Sequence, residues 1–390
     1  MRRLLKRLFQ GNTIVWVLMF ALAVFSFMPV FSGSRSLYHH FIFILSGAFI
    51  TLVVHRLPSR FFSPFSVLAL GFGIVLLAFA LVQGQTIGGA NASRWVNVGG
   101  MKFQPSALTS LFLLVYLVRQ LVRNAEKTWT FRSSVVPILL PIAVVCGLIL
   151  PANFSTSALV FFNASAVLLI GGFPFKHWFK MVGIALVFLT FFIGIAVTFP
   201  DLFSNRVDTW KSRLDSYFHP EKNEDTYQID IAKMAIAEGH ITGQGPGRGI
   251  QKNFLPQKNT DFIYALIVEE WGILGGTVLI FGYLWLFFQI LKVGQKAETA
   301  FGHLLCVAIA FSITFQALIN MAVAVNLFPV TGQTLPLVSE GGTSIWTTCL
   351  ALGMVLSVSR GKGDKTEAEG AYALGGEESV LEAERNTPTA

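Results

Sequence analysis

The chain has 390 residues, of which 53% are hydrophobic and only 13% charged. Ordinary globular proteins carry about 25% charged residues, so a soluble multidomain protein, a disordered chain and a disulfide-built secreted fold are all excluded. The mean hydropathy of +0.62 makes lipid the solvent for most of the chain, and the net charge of +8 belongs to membrane topology rather than to nucleic-acid binding.

A helix needs about 20 mostly apolar residues to cross a hydrocarbon core about 30 Å thick. Ten such runs are present, at 12–33, 38–56, 63–83, 105–123, 134–150, 156–173, 180–200, 262–291, 302–325 and 343–359. They are continuously apolar rather than alternating, which predicts an all-α polytopic membrane protein and excludes a barrel. The first run follows a basic start, but it is long for a signal peptide and no A-x-A-like site follows it, so a retained anchor is expected. Cys146, Cys306 and Cys349 all lie in apolar runs and read as small core hydrophobes. The eighth run carries Glu269 and Glu270, which predicts a tilted, kinked or partly extramembrane helix.

Lys and Arg in short loops set the orientation. With both termini cytoplasmic, the inner segments hold Arg2, Arg3, Lys6 and Arg7, then Arg56 and Arg60, then Arg119, Arg123, Lys127 and Arg132. Lys176, Lys180, Lys292 and Lys296 follow on the same side, while the short outer loops keep only Arg35, Arg94 and Lys102. One membrane domain over 1–360 is expected, with a disordered cytoplasmic tail over 361–390 that is rich in Glu and Gly.

Three outer stretches stand out: 84–104, the large loop 201–261 between spans seven and eight, and 326–342. Loops much beyond about 12–15 residues are usually functional or disordered. In the first, Arg94 and Trp95 read most simply as a headgroup contact and an interfacial anchor. The alternative is a polar re-entry in which Arg94 and Lys102 face an anionic headgroup. The large loop is aromatic (Trp210, Tyr217, Phe218, Tyr227), and Thr226–Gly239 is a candidate amphipathic interfacial helix with Ile229, Ile231, Met234 and Ile236 on its apolar side.

That loop ends in a glycine-rich run, Gly243 to Gly249, with Arg248 and Lys252 beside it. Such a run can hold phosphates through free N–H groups and positive charge, although no helix with P-loop spacing follows. Thr260 and Asp261 could be a plain helix N-cap. Against this, Asp261, Glu269 and Glu270 crowd carboxylates at the membrane face, where ionisable groups mark function. Asp261 and Glu269 lie two helical turns apart and could share a face. In the third stretch, Ser339 and Glu340 sit among Gly and Pro, as in a short re-entrant structure lining a wet cavity. Gln316 and Asn320 within span nine could serve as helix–helix glue.

Together these motifs resemble the SEDS family (shape, elongation, division and sporulation proteins), most of all its FtsW branch and next its RodA branch. Arg94-Trp95 and Phe103-Gln104-Pro105-Ser106 match the first motif. Gly243, Gly245, Leu255-Pro256, Thr260-Asp261-Phe262-Ile263 and Glu269-Glu270 match the second. Pro329, Thr331-Gly332, Leu335-Pro336, Ser339 and Gly341-Gly342-Thr343-Ser344 match the third. The chain departs from the family pattern at Ala107 and Ser110 (usually Glu and Lys), at Asn153 in the stretch after span five, at Asn259 (His) and at Glu340 (Tyr).

The resemblance implies a peptidoglycan glycosyltransferase that polymerises lipid II outside the bacterial cytoplasmic membrane, with Asp261 as the residue tied to activity. A carboxylate there suits a general base. Arg94, Lys102, Arg213, Arg248 and Lys252 are candidate cations for the pyrophosphate, and a divalent metal, Mg or Mn, could share that task. Trp95, Glu269, Ser339 and Glu340 are further candidate substrate contacts. The expected partner is a class B penicillin-binding protein, a transpeptidase, within the division or elongation machinery. Two competing readings are a lipid-linked precursor flippase and a structural scaffold.

Overall fold

The structure, a computed structural model, describes residues 9–34, 37–83, 85–87, 90–98, 101–125, 127, 129–198, 227–255 and 258–361. Apolar helices dominate: α1 (Thr13–Ser34), α2 (Tyr38–Val54), α3 (Phe62–Gln83), α4 (Pro105–Asn124), α5 (Val136–Ile149) and α6 (Phe154–Ile170). They continue with α7 (Phe175–Thr198), α8 (Tyr227–Gly239), α9 (Ile263–Gln295), α10 (Ala300–Ala324) and α11 (Gly342–Gly361). Seven are long and apolar enough to cross a membrane, and α2, α5 and α6 are shorter apolar helices. Each of the ten apolar runs overlaps one of these eleven helices, and α8 alone falls outside them. Large exposed hydrophobics such as Phe49, Leu68, Val187, Phe191 and Val278 cover the outside, a surface only lipid tolerates. The protein is a multi-pass membrane protein.

Helix starts follow local chemistry. Asn12 Oδ1 accepts the Ile14 N–H (2.9 Å) at the head of α1, and Thr299 caps α10 through the Gly302 N–H (3.0 Å). Pro105 opens α4, where its missing N–H costs nothing. Asn153, one of the departures from the family pattern, caps α6 by accepting the Thr156 N–H (3.1 Å).

Small residues let the helices approach, as expected where lipid gives no hydrophobic drive. Gly73 of α3 lies against Thr109 of α4, whose hydroxyl donates to the Gly73 carbonyl (3.1 Å). Gly47 of α2 receives Cys349 and Ile345 of α11. The most apolar window is 67% buried in α10 and in α11 but only 6% buried in α7, so the first two are central and α7 stands at the edge.

Two features depart from the expectations. The first outer stretch is a three-stranded antiparallel sheet, β1 (Gln85–Ile87), β2 (Ala90–Val98) and β3 (Met101–Phe103), with Val96 opposite Phe103 and Gln85 opposite Trp95. Helix α8 forms within the expected range and packs on α9, with a difference on the face expected to be apolar. Its inner face is Ile229, Ile231, Ala232 and Ala235, and Met234 is exposed. Small residues decide this: a Cβ on Gly239 would stand 2.1 Å from the Val268 carbonyl oxygen, so only glycine permits the approach. The expected disordered tail and the first part of the large loop, with Trp210, Arg213, Tyr217 and Phe218, lie outside the described residues.

Candidate active site

The sheet ahead of α4, the turn ahead of α9 and the stretch between α10 and α11 meet at one end of the bundle. Ser339 Oγ donates to the Thr260 carbonyl (2.7 Å) and accepts the Leu335 N–H (2.8 Å). Asn259 and Glu340 are joined twice, from Asn259 Nδ2 to Glu340 Oε2 (2.7 Å) and from the Glu340 N–H to the Asn259 carbonyl (2.8 Å). Asn320 of α10 donates to two carbonyls, those of Asp261 (3.0 Å) and Gln333 (2.7 Å). Gln316 donates to the Thr334 carbonyl (2.9 Å), Gln333 to the Thr156 hydroxyl (2.8 Å), and the Gln104 N–H to Thr343 Oγ1 (3.0 Å). The buried Tyr283 hydroxyl ties the Pro336 carbonyl to α9. These bonds give the irregular backbone of the loops the partners that burial requires.

Asp261 sits half-buried in the turn before α9, between Thr260 and the fully buried Phe262. The cap position belongs to Phe262 and carries no side-chain cap, so neither Thr260 nor Asp261 serves as the N-cap. Because Asp261 precedes the helix, the expected shared face with Glu269 does not form.

Helix α9 breaks at Gly272, with φ +69° and ψ −176°. The freed backbone groups pair with the glycine-rich segment: Ile273 and Leu274 N–H donate to the carbonyls of His240 (3.0 Å) and Ile241 (3.2 Å). In return the Glu269 and Glu270 carbonyls accept the N–H groups of Gln244 and Gly245, both at 3.0 Å. A Cβ on Gly243 would lie 2.2 Å from the Glu270 carbonyl oxygen. Gly243 and Gly249 therefore serve close packing against the broken helix, and the Gln244 and Gly245 N–H groups are not free to cradle phosphate.

Residues 2–363 match the family of cell cycle proteins comprising FtsW, RodA and SpoVE. The chain belongs to this family. It is 29% identical over 371 residues to a probable peptidoglycan glycosyltransferase FtsW of Geobacter sulfurreducens, covering 91% of this chain and 96% of the relative. It is 30% identical over 321 residues to the FtsW of Nitrosococcus halophilus, covering 81% of each chain. Among solved structures, a chain from a study of structural coordination of polymerization and crosslinking by a peptidoglycan synthase complex superposes with TM-score 0.71 at 25% identity, covering 90% of this chain and 98% of that one. The rod shape determining protein RodA of Thermus thermophilus shares the fold at TM-score 0.65 and 24% identity, with coverage of 90% and 97%.

Within this FtsW/RodA-type fold, three of the candidate substrate contacts are committed to the protein itself. Lys252 is buried; its ammonium pairs with Glu270 Oε1 (3.3 Å) and donates to Ser32 Oγ (2.7 Å) and the Gly247 carbonyl (2.6 Å). Ser32 also donates to Glu270. Glu269 is fully buried and accepts the Gln251 N–H (2.7 Å). Ser339 uses its hydroxyl on the two bonds given above. Arg248 is exposed, Glu340 is partly exposed, and Trp95 is half-buried in β2. Arg94 lies in β2 and Lys102 in β3 opposite Asn97, their side chains outside the described set, and Arg213 is likewise outside it. Among the described residues no group of three or more His, Cys, Asp or Glu side chains is assembled that could hold a metal.

Beneath the loops lies a cavity of about 110 Å³ lined by Gln104, Ser106, Ser110, Thr156, Gln316 and Gln333 among others, all neutral. Ala107 and Ser110, two departures from the family pattern, face it. A second cavity of about 520 Å³ is almost wholly apolar and opens between α5, α6 and the peripheral α7, lined by Ile142, Cys146, Phe161, Met181, Ala185 and Phe188 among others.

Proposed function

We propose that this protein is a peptidoglycan glycosyltransferase that polymerises lipid II on the outer face of the bacterial cytoplasmic membrane, in septal synthesis during division. The relatives named as probable peptidoglycan glycosyltransferases support the activity, and the likeness of the motifs to the FtsW branch favours division over elongation. The observation that carries the reading is the lacing of three distant loops around one turn, so that Asp261 is held by Asn320, by Ser339 through Thr260, and by Glu340 through Asn259.

In the reaction a sugar hydroxyl of one saccharide attacks the anomeric carbon of another. The new C–O bond forms as the bond to polyprenyl pyrophosphate breaks, and the hydroxyl proton passes to the Asp261 carboxylate. Such general-base help is typically worth about 10²–10⁴ in rate. The pyrophosphate leaves with the electron pair and needs positive charge rather than a protonating acid. Arg94, Lys102, Arg213 and Arg248 are the candidates for that charge, Lys252 being held by Glu270. The apolar groove beside α7 suits the prenyl chain, since each buried CH₂ contributes about 0.8 kcal/mol.

A class B penicillin-binding protein is the partner in this reading, supported by the similarity to a chain from a peptidoglycan synthase complex. The test is polymerisation of lipid II by the full chain with its transpeptidase partner in detergent. Asp261→Asn should insert and fold normally yet make no glycan. Polymer at the unmodified rate would refute the base assignment. Movement of lipid II across vesicles by the unmodified protein, without any glycan, would mark a transporter instead.

A further inference from the structure

At the far end of α4 from the Pro105 end, a recess of about 610 Å³ opens between the end of that helix and the start of α5, lined by Gln120, Arg123, Asn124, Lys127, Thr130 and Ser134 beside Pro137. A helix of this length spans about 30 Å, so the recess lies about that far from the Pro105 end of α4. Arg123 stands in the last turn of α4, and the Lys127 N–H closes the next turn on the Asn124 carbonyl (3.1 Å). Arg123 and Lys127 are exposed, and neither takes part in the described ion pairs Lys233–Asp230 and Lys252–Glu270. The described lining of the recess holds no carboxylate, and Glu126, between the two cations in sequence, lies outside the described residues.

The Thr130 and Ser134 hydroxyls add neutral donors to these two charges. Aromatic side chains fix the depth: Trp129 packs edge-on against Phe173 (ring centroids 5.3 Å apart) and Phe131 is exposed beside it. Such aromatics mark the headgroup level of a bilayer. Cations kept inside only as a topology signal need proximity to a span end; they need not line a common recess with neutral donors, as these do.

We propose that this recess binds a phosphate group, either the headgroup of an anionic glycerophospholipid in the adjoining leaflet or a free phosphate of the same chemistry. Basic pockets between helix ends are suited to such headgroups.

The experiment uses the full chain in phosphatidylcholine vesicles, with phosphatidylglycerol added in one arm and inorganic phosphate in another. Retained lipid is counted by native mass spectrometry, and thermal unfolding is followed in each arm. Phosphatidylglycerol should be retained and should raise the unfolding temperature. The R123Q/K127Q variant should bind it roughly twentyfold to thirtyfold more weakly. R123K/K127R should keep the binding, and so should K292Q/K296Q, which removes an equal charge from the end of α9. Protection by inorganic phosphate alone, lost in R123Q/K127Q, would support the site and identify the free form as its ligand. Equal binding by R123Q/K127Q and the unmodified protein would overturn the proposal, as would equal loss in K292Q/K296Q.

Discussion

Asn259 and Glu340, two of the positions at which this chain leaves its family's pattern, are hydrogen-bonded to each other through side chain and backbone at 2.7 and 2.8 Å. The pair joins the loop that carries Asp261 to the loop that closes over it, and Gly33 of α1 leaves the room that the Asn259 amide fills. Glu340→Ala removes a charge-assisted bond, which is worth about 1.5–3 kcal/mol. Polymerisation should fall about tenfold, and Asn259→Ala should do the same. Because the two act as a unit, the double variant should be little worse than either single one, giving a coupling of about 1 kcal/mol or more. Independent, additive losses in a lipid II polymerisation assay would show that the contact does not position the loop.

Asn320 offers a sharper comparison, because both its N–H groups end on carbonyls, one of them that of Asp261. Asn320→Ala leaves two acceptors without a donor, at about 1–3 kcal/mol each. Asn320→Asp keeps the size but turns a carboxylate toward those carbonyls, so it should be the more damaging of the two. Thermal unfolding in detergent ranks them, and Asn320→Asp at least as stable as Asn320→Ala would contradict the assignment.

The helices were legible because apolar continuity over a span length is a strong signal, and each run overlaps a helix. The site was legible in part. Asp261, Ser339 and Glu340 stood in motifs, but only folding shows that the motifs touch. Asn320 and Gln316 read as helix glue, since an amide on an apolar helix does not reveal whether its partner is another helix or a loop 13 or 18 residues away. The glycine-rich run was the opposite case. Its composition suits phosphate binding, and the break at Gly272, which frees the Glu269 and Glu270 carbonyls to accept the Gln244 and Gly245 N–H groups, has no sequence signature of its own. The sheet at 85–103 escaped notice because two of its strands have only three residues.

The Lys252–Glu270 pair makes a prediction about stability rather than chemistry. Both side chains are buried, at 9% and 1% exposure, so solvent screening is small and removing one partner strands the other. Lys252→Met should cost about 3–5 kcal/mol. Replacing both, as K252M/E270Q, should recover much of that loss because no buried charge remains. Denaturation of the detergent-solubilised protein measures both variants. If Lys252→Met proved no more harmful than Met at the exposed Lys292, the ammonium would not be holding these elements together.

Gly272 is where the broken helix and the glycine-rich segment cross, so a single methyl group there tests the whole arrangement. Its φ of +69° with ψ of −176° is a conformation essentially reserved for glycine, costing other residues about 1–3 kcal/mol. An added Cβ would also lie 2.2 Å from the Ile241 carbonyl oxygen and 2.5 Å from the Gly243 nitrogen, and overpacking adds about 1–3 kcal/mol more. Gly272→Ala should therefore lower stability by at least about 2 kcal/mol and loosen α8 and residues 240–255 together. Protease accessibility of that segment reports the second effect. The control is Gly183→Ala in α7, where nothing lies within 4 Å of the added carbon and the helix should gain slightly from the better helix former. Equal tolerance at both glycines would mean that the break in α9 is not held by the contacts described.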